Sequence, residues 1–145
     1  MIKVVIDTNV LVSALLKSQR NPALILSLIL QHQLTLCVSE EIFTEYGEVL
    51  HYGKFKQLDQ DLIKKLLDDI QRDALWINPK VSVDIIKDHP PDNRFLECAL
   101  EAKVDFIVTG NKKHFNFKSF HHIPIVAPTD FLFIVAKRLF NPLQG

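Results

Sequence analysis

Three carboxylates and two neutral oxygen donors stand where they could together hold a hard divalent cation. Asp7 follows the apolar run Val4-Val5-Ile6, Glu45 lies in an amphipathic segment, and Asp92 follows Pro90-Pro91. Thr109 and Asn111 bracket Gly110 directly after Phe106-Ile107-Val108. Mg²⁺ and Mn²⁺ take oxygen ligands of these kinds. Carboxylates gathered in one place repel each other unless a cation neutralises them. Such a cation can lower the pKa of its water, supply a hydroxide nucleophile and offset phosphate charge. Lys112 and Lys113 follow at once, and a polar site with basic neighbours suits a phosphodiester substrate.

Each acid also has a plainer reading. Asp7 could cap a helix running from Val10, a task that Thr8 or Asn9 could also take. Glu45 sits at the margin of a stripe formed by Ile42, Phe43, Tyr46, Val49 and Leu50, while Glu41 and Glu48 lie further round toward solvent. A border position suits a cleft-lining ligand, and it also suits an ordinary surface glutamate. Asp92 after two prolines is a good N-cap for the helix carrying Phe95, Leu96, Ala99 and Leu100, and one side chain could serve both ends. Asp88 is a nearby substitute for it.

The elements that must position these groups alternate in type. Strand patterns cover Ile2–Ile6, Leu34–Val38, Leu75–Ile77, Asp105–Thr109 and Ile123–Val126. Helical patterns cover Val10–Leu16, Pro22–Gln31, Glu40–Leu50 (with Ser39 as N-cap), Leu62–Gln71, Asp92–Lys103 and Thr129–Leu139. Strands alternating with helices predict an α/β fold with a mostly parallel sheet covered on both faces. In such sheets the functional crevice lies outside the carboxyl ends of the strands. Asp7, Thr109 and Asn111 fall at such ends.

The bulk composition narrows the field. A chain of 145 residues suits one domain, here 1–145, and 48% hydrophobic residues can fill its core. No apolar run is long enough to cross a bilayer, and Met1 leads straight into a strand pattern without a leader peptide's features. These features suggest a soluble, cytoplasmic protein. Cys37 and Cys98 sit among apolar residues with no CxxC spacing, which reads as buried reduced thiols. The six histidines form no HExxH or HxH pattern, and His121 and His122, on an extended segment, would point to opposite faces. Seventeen basic and seventeen acidic residues balance, unlike the basic excess common in nucleic-acid binders. The charge is uneven, however: residues 112 to 122 include Lys112, Lys113, His114 and Lys118 and no acid, and Lys17 and Arg20 form a smaller cluster.

In this order, the motifs resemble the PIN-domain family of metal-dependent ribonucleases. Asp7-Thr8-Asn9-Val10 is similar to its opening motif. Val38-Ser39 through Glu45 looks like its second acidic segment, and Asp92-Asn93-Arg94-Phe95-Leu96-Glu97-Cys98-Ala99-Leu100 like its third. Asp105-Phe106-Ile107-Val108-Thr109-Gly110-Asn111 resembles its last motif, which normally ends in Asp. The likeness spans nearly the whole chain and is nearest to the prokaryotic toxin–antitoxin type. It implies a three-layer α/β/α sandwich with a sheet of about five strands, single-stranded RNA as substrate and Mg²⁺ or Mn²⁺ as cofactor. It maps the metal-holding acids onto Asp7, Glu45 and Asp92, with Asn111 in the fourth place and Asn9 and Thr109 as polar support. Lys112 and Lys113 would steer RNA. Homodimers and a small antitoxin covering the site are common in the family. Asn111 and Pro91 both depart from the pattern. Without a fourth charge a second metal should bind more weakly, which keeps open a weakened module that binds RNA or protein without cutting. A phosphoacceptor receiver domain would want a phosphorylatable Asp after the third strand, where this chain has Ile77-Asn78-Pro79. A haloacid-dehalogenase type of phosphatase would want Asp where Asn9 stands.

Overall fold

The computed structural model describes residues 1–16, 20–52, 58–110 and 118–140. In it the run Lys3–Ile6 forms the central strand β1. Val4, Val5 and Ile6 are all essentially without exposure, so both faces of this strand are covered. Thr8–Leu16 (α1) and Arg20–Leu30 (α2) lead to β2 at Thr35–Val38. Glu40–His51 (α3) and Gln60–Asp73 (α4) follow, then the short β3 at Leu75–Trp76. A 3₁₀ turn over Pro90–Asp92 opens α5, Asn93–Ala102. Phe106–Val108 (β4), Ser119–Phe120 (β5), Ile123–Val126 (β6) and Pro128–Phe140 (α6) complete the order.

The strands form one sheet in the order β3-β2-β1-β4-β6-β5, parallel throughout except where β5 runs against β6. Helices α1, α2 and α6 pack together, α3 packs with α4 and α5, and α1 also meets α3. This is the expected three-layer architecture, with six strands where five were expected. The added strand, β5, is two residues long and lies in the basic stretch, too short for alternation to show. It is joined to β6 by His121 and His122, which are not extended. Both have positive φ, 49° and 66°, as a tight two-residue hairpin turn requires. Among the described residues no helix is long and apolar enough to cross a membrane.

Polar caps displace the helix starts from the apolar periodicity. Asp7 Oδ1 accepts the Val10 N–H at 3.0 Å, so α1 begins at Thr8 and not at Val10. Asp59 Oδ1 accepts from Asp61 and Leu62 and starts α4 two residues before Leu62. Ser39 caps α3 as its sequence suggests, with Oγ accepting from the Ile42 N–H. Cys37 and Cys98 are buried free thiols, their pKa values pushed by burial to about 11 and about 12.

The connection from β3 to Asp92 has no ladder, yet it is pinned. Glu101, Glu97 and Asn93 are spaced four residues apart on α5, which puts them on one face. Glu101 Oε1 accepts the Lys80 N–H, Glu97 Oε2 the Val83 N–H, and Asn93 Oδ1 the N–H groups of both Ile85 and Ile86. Asn93 Nδ2 also donates to the carbonyls of Ile86 and Pro90, both at 2.9 Å. Four helical residues rise about 6 Å, whereas three extended residues span about 10 Å. A segment matched to this face must therefore be compacted, so it cannot be a strand.

Two substitutions test this account by urea denaturation. Asn93→Ala leaves two N–H groups and two carbonyls without these partners and should destabilise the protein by at least about 2 kcal/mol. Gly47→Ala should stabilise it by roughly 0.5–1 kcal/mol, because Gly47 lies inside α3 and an added Cβ there meets nothing within 4 Å. A neutral Asn93→Ala or a destabilising Gly47→Ala would contradict the packing described.

Candidate active site

A cleft of about 300 Å³ opens beyond the carboxyl end of β1. Asp7, Thr8 and Asn9 line it from the strand exit, Glu45 and Val49 from α3, and His89 and Asp92 from the turn before α5. The three acids expected from sequence are thus brought together from three separate segments. Asp7 and Asp92 are buried, Glu45 is half-buried and Asn9 is exposed. Glu41 and Glu48 are exposed, as their places on the helix suggested. Asn111, Lys112 and Lys113 lie outside the described residues, as do Lys17 and His114.

Asp7 is placed by backbone before its side chain makes any contact. Its N–H donates to the Val108 carbonyl at 3.1 Å and extends the β1–β4 pairing by one bond. Its Oδ1 caps α1, and its Oδ2 accepts from the Thr109 hydroxyl. The cap reading of Asp7 holds, and the same side chain lines the cleft. Thr109, buried and tied through its N–H to the Val126 carbonyl, is the polar support that the sequence pointed to. Asp92 resolves differently. It sits in the 3₁₀ turn with helical φ and ψ, and its side chain makes no cap bond to α5. His89 Nδ1 approaches its Oδ1 at 3.3 Å.

Four contributors were not legible as such in the sequence. The Thr8 hydroxyl donates to Glu45 Oε2. The Tyr46 hydroxyl, fully buried, donates to the Ile6 carbonyl at 2.7 Å. Residues 45 and 46 thereby grip residues 8 and 6, on either side of Asp7. His89 lines the cleft, and Asn93 braces the turn that carries Asp92. Thr8 adjoins Asp7 and His89 precedes Asp92 by one helical turn, which are the only sequence cues for them. Tyr46 reads simply as part of the apolar stripe.

The electrostatics are those of crowded, poorly hydrated acids. The Asp7 carboxyl is raised from 3.8 to about 6, chiefly by burial. Hydrogen bonds from Thr109 and Val10 oppose the rise, and the charges of Asp92 and Glu45 add to it. An oxygen-only set of three carboxylates with mutual repulsion has the chemistry of a hard-cation site. Among the described residues, no three Asp, Glu, His or Cys side chains already close around a single point. Glu45 is instead engaged by Thr8, so the donor types fit an ion, and the side chains would have to draw closer to ligate it together.

Comparisons with known proteins bear on the family and the fold. A family model described as PIN domain matches residues 3–113. An uncharacterized protein of Methanocaldococcus jannaschii, MJ1680, is 30% identical over 141 residues, covering 90% of each chain. A crystal structure of VapBC2 from Rickettsia felis, bound to a DNA fragment from its promoter, contains a chain of similar fold. The TM-score is 0.56 at 18% identity, over 87% of this chain and 98% of that one.

The raised Asp7 carboxyl makes stability depend on pH. The folded chain holds the Asp7 proton more tightly than the unfolded chain does. The resulting stabilisation is complete below pH 3.8 and is lost as pH rises through about 6. The gap corresponds to roughly 3 kcal/mol at most. Asp7→Asn keeps the cap acceptor and removes the charge. Without divalent ions it should be more stable than the native protein at pH 8, by up to about 3 kcal/mol, and the difference should vanish toward pH 4. Urea titrations in EDTA at the two pH values measure it. A difference that does not change with pH would overturn the assignment of strain to the ionised carboxylate.

Proposed function

The chain belongs to the PIN-domain family of nucleases, and on that premise we propose that it is a metal-dependent endoribonuclease acting on single-stranded RNA, the toxin half of a toxin–antitoxin pair. The observation that carries the reading is the convergence of Asp7, Glu45 and Asp92 on one cleft, with Asp7 desolvated and repelled by the other two. Asp7, Glu45 and Asp92 would hold Mg²⁺ or Mn²⁺, with Asn111 as a neutral fourth donor. The bound ion would acidify its water and offset charge on the scissile phosphate.

The chain's own residues have separable tasks. Thr109 and the Val10 N–H fix the Asp7 carboxylate at the cleft wall, each oxygen keeping a further lone pair for an ion. Thr8 keeps Glu45 at the cleft wall, and Tyr46 holds α3 to the end of β1. Asn9, exposed at the rim, is a hydrogen-bonding group for substrate. Lys112 and Lys113 would draw the RNA backbone toward a cleft whose own lining is acidic, since basic side chains engage phosphate without regard to sequence. A small antitoxin is the partner this reading implies, and the fold likeness to the VapBC2 chain supports it. A homodimer is the assembly it implies.

A second reading has one observation in its favour. The engagement of Glu45 by Thr8, with Asn111 uncharged, suits a module that binds RNA or protein and no longer cuts.

The deciding experiment incubates single-stranded RNA with the protein and Mn²⁺, beside Asp7→Asn, Glu45→Gln and Asp92→Asn. Cleavage should fall on the order of 100-fold or more in each variant, the equivalent of about 3 kcal/mol of lost transition-state stabilisation, while circular dichroism stays native. Equal cleavage by the variants would remove these acids from the mechanism. No cleavage and no calorimetric heat with Mn²⁺, with RNA binding retained, would establish the second reading.

A further inference from the structure

Asp92 presents a question that its place in the chain sharpens. Asp at the entrance to a helix normally turns back to take N–H groups of the first turn. Here it does not, and its carboxylate lines the cleft instead. Its neighbour there is His89, three residues earlier, with Nδ1 at 3.3 Å from Oδ1. His89 is itself held from behind. Its carbonyl accepts the Asp92 N–H at 3.0 Å, and two prolines restrict the chain that follows. The Asn93 amide ties the carbonyls of Ile86 and Pro90 and so closes the loop that bears the histidine. Nearly half of the His89 side chain is exposed, against a tenth of that of Asp92, so the ring stands at the mouth and the acid lies beneath it.

We propose that His89 is a positioning residue for Asp92: its ring edge holds the carboxylate toward the cleft, where it can serve a divalent cation. The inference rests on the metal-dependent reading of the site. Carboxylates that bind metal are commonly oriented by a second hydrogen-bonding group, and loss of that group typically lowers metal affinity about 10- to 100-fold. Asp7 has such groups in Thr109 and the Val10 N–H, and Glu45 has one in Thr8. His89 gives Asp92 a ring nitrogen at 3.3 Å from its own loop. It needs no contact with substrate to do so.

Calorimetric titration of Mn²⁺ into the intact chain tests the role, alongside thermal melting without metal. His89→Ala should weaken Mn²⁺ binding about 10- to 100-fold with little change in Tm, because nearly half of the His89 side chain is exposed and it contributes little to the core. His89→Asn, whose amide nitrogen reaches the place of Nδ1, should recover most of the affinity. In the Asp92→Asn background, His89→Ala should have little further effect, as coupled residues require. Mn²⁺ affinity within twofold of native in His89→Ala would overturn the proposal. So would a lowered Tm with no recovery in His89→Asn, which would make His89 a structural residue. No Mn²⁺ binding by the native chain would overturn the metal-dependent reading and this role with it, whereas binding that His89→Ala leaves intact overturns this role alone.

Discussion

The end of one buried strand governs the rest of the site. β1 is paired on both sides and covered on both faces, so its direction and its stopping point are settled by the core. The next residue must leave the sheet while still bonding to Val108, and that residue is Asp7. An acid delivered this way loses most of its water. Hydrogen bonds from Thr109 and Val10 return part of the lost solvation, and the raised pKa shows that they do not return all of it. Capping α1 explains an acceptor there but not a charge, since Ser, Thr or Asn would cap as well, and the poorly hydrated charge is why the position reads as functional.

The other two acids are referred to Asp7 by different means. Glu45 is registered through paired ties, Thr8 to Glu45 and Tyr46 to Ile6, which clamp α3 across the strand exit. A shift of α3 along the sheet would have to break both, one of them buried. Asp92 is registered through the turn before α5 and the amide of Asn93. One acid is thus fixed by a sheet, one by a clamped helix and one by a braced turn. The cleft is the place where three separately anchored pieces of backbone meet, and its geometry does not hang on any single loop.

Much of this was legible from residue order. The parallel sheet followed from strands alternating with helices, and the three acids from a strand end, the edge of an apolar stripe and a helix start after two prolines. What stayed hidden has physical causes. β5 has two residues, fewer than any periodicity needs. His121 and His122 occupy a turn that usually selects glycine or asparagine, so residue type misled about conformation. Asp92 carried a strong local preference for capping, but the 3₁₀ turn over Pro90–Asp92 gives it the helical φ and ψ that a capping residue lacks. Tyr46 offered no clue, because one hydroxyl on an apolar stripe finds its partner only when another element arrives. The candidate acids were visible because charge near a core is rare, whereas their supports are ordinary residues made specific by packing.

The three-point attachment of residues 80–86 to α5 bears on how this chain can vary. Connections between elements usually absorb insertions and deletions freely. Here the N–H donors must stay in phase with acceptors that recur once per helical turn, so the connection has a reading frame of its own. Adding one residue between Lys80 and Ile86 would put every later donor out of step and drag the turn bearing His89 and Asp92 with it. The stretch before Lys80 lies outside this frame and carries no such constraint on its length.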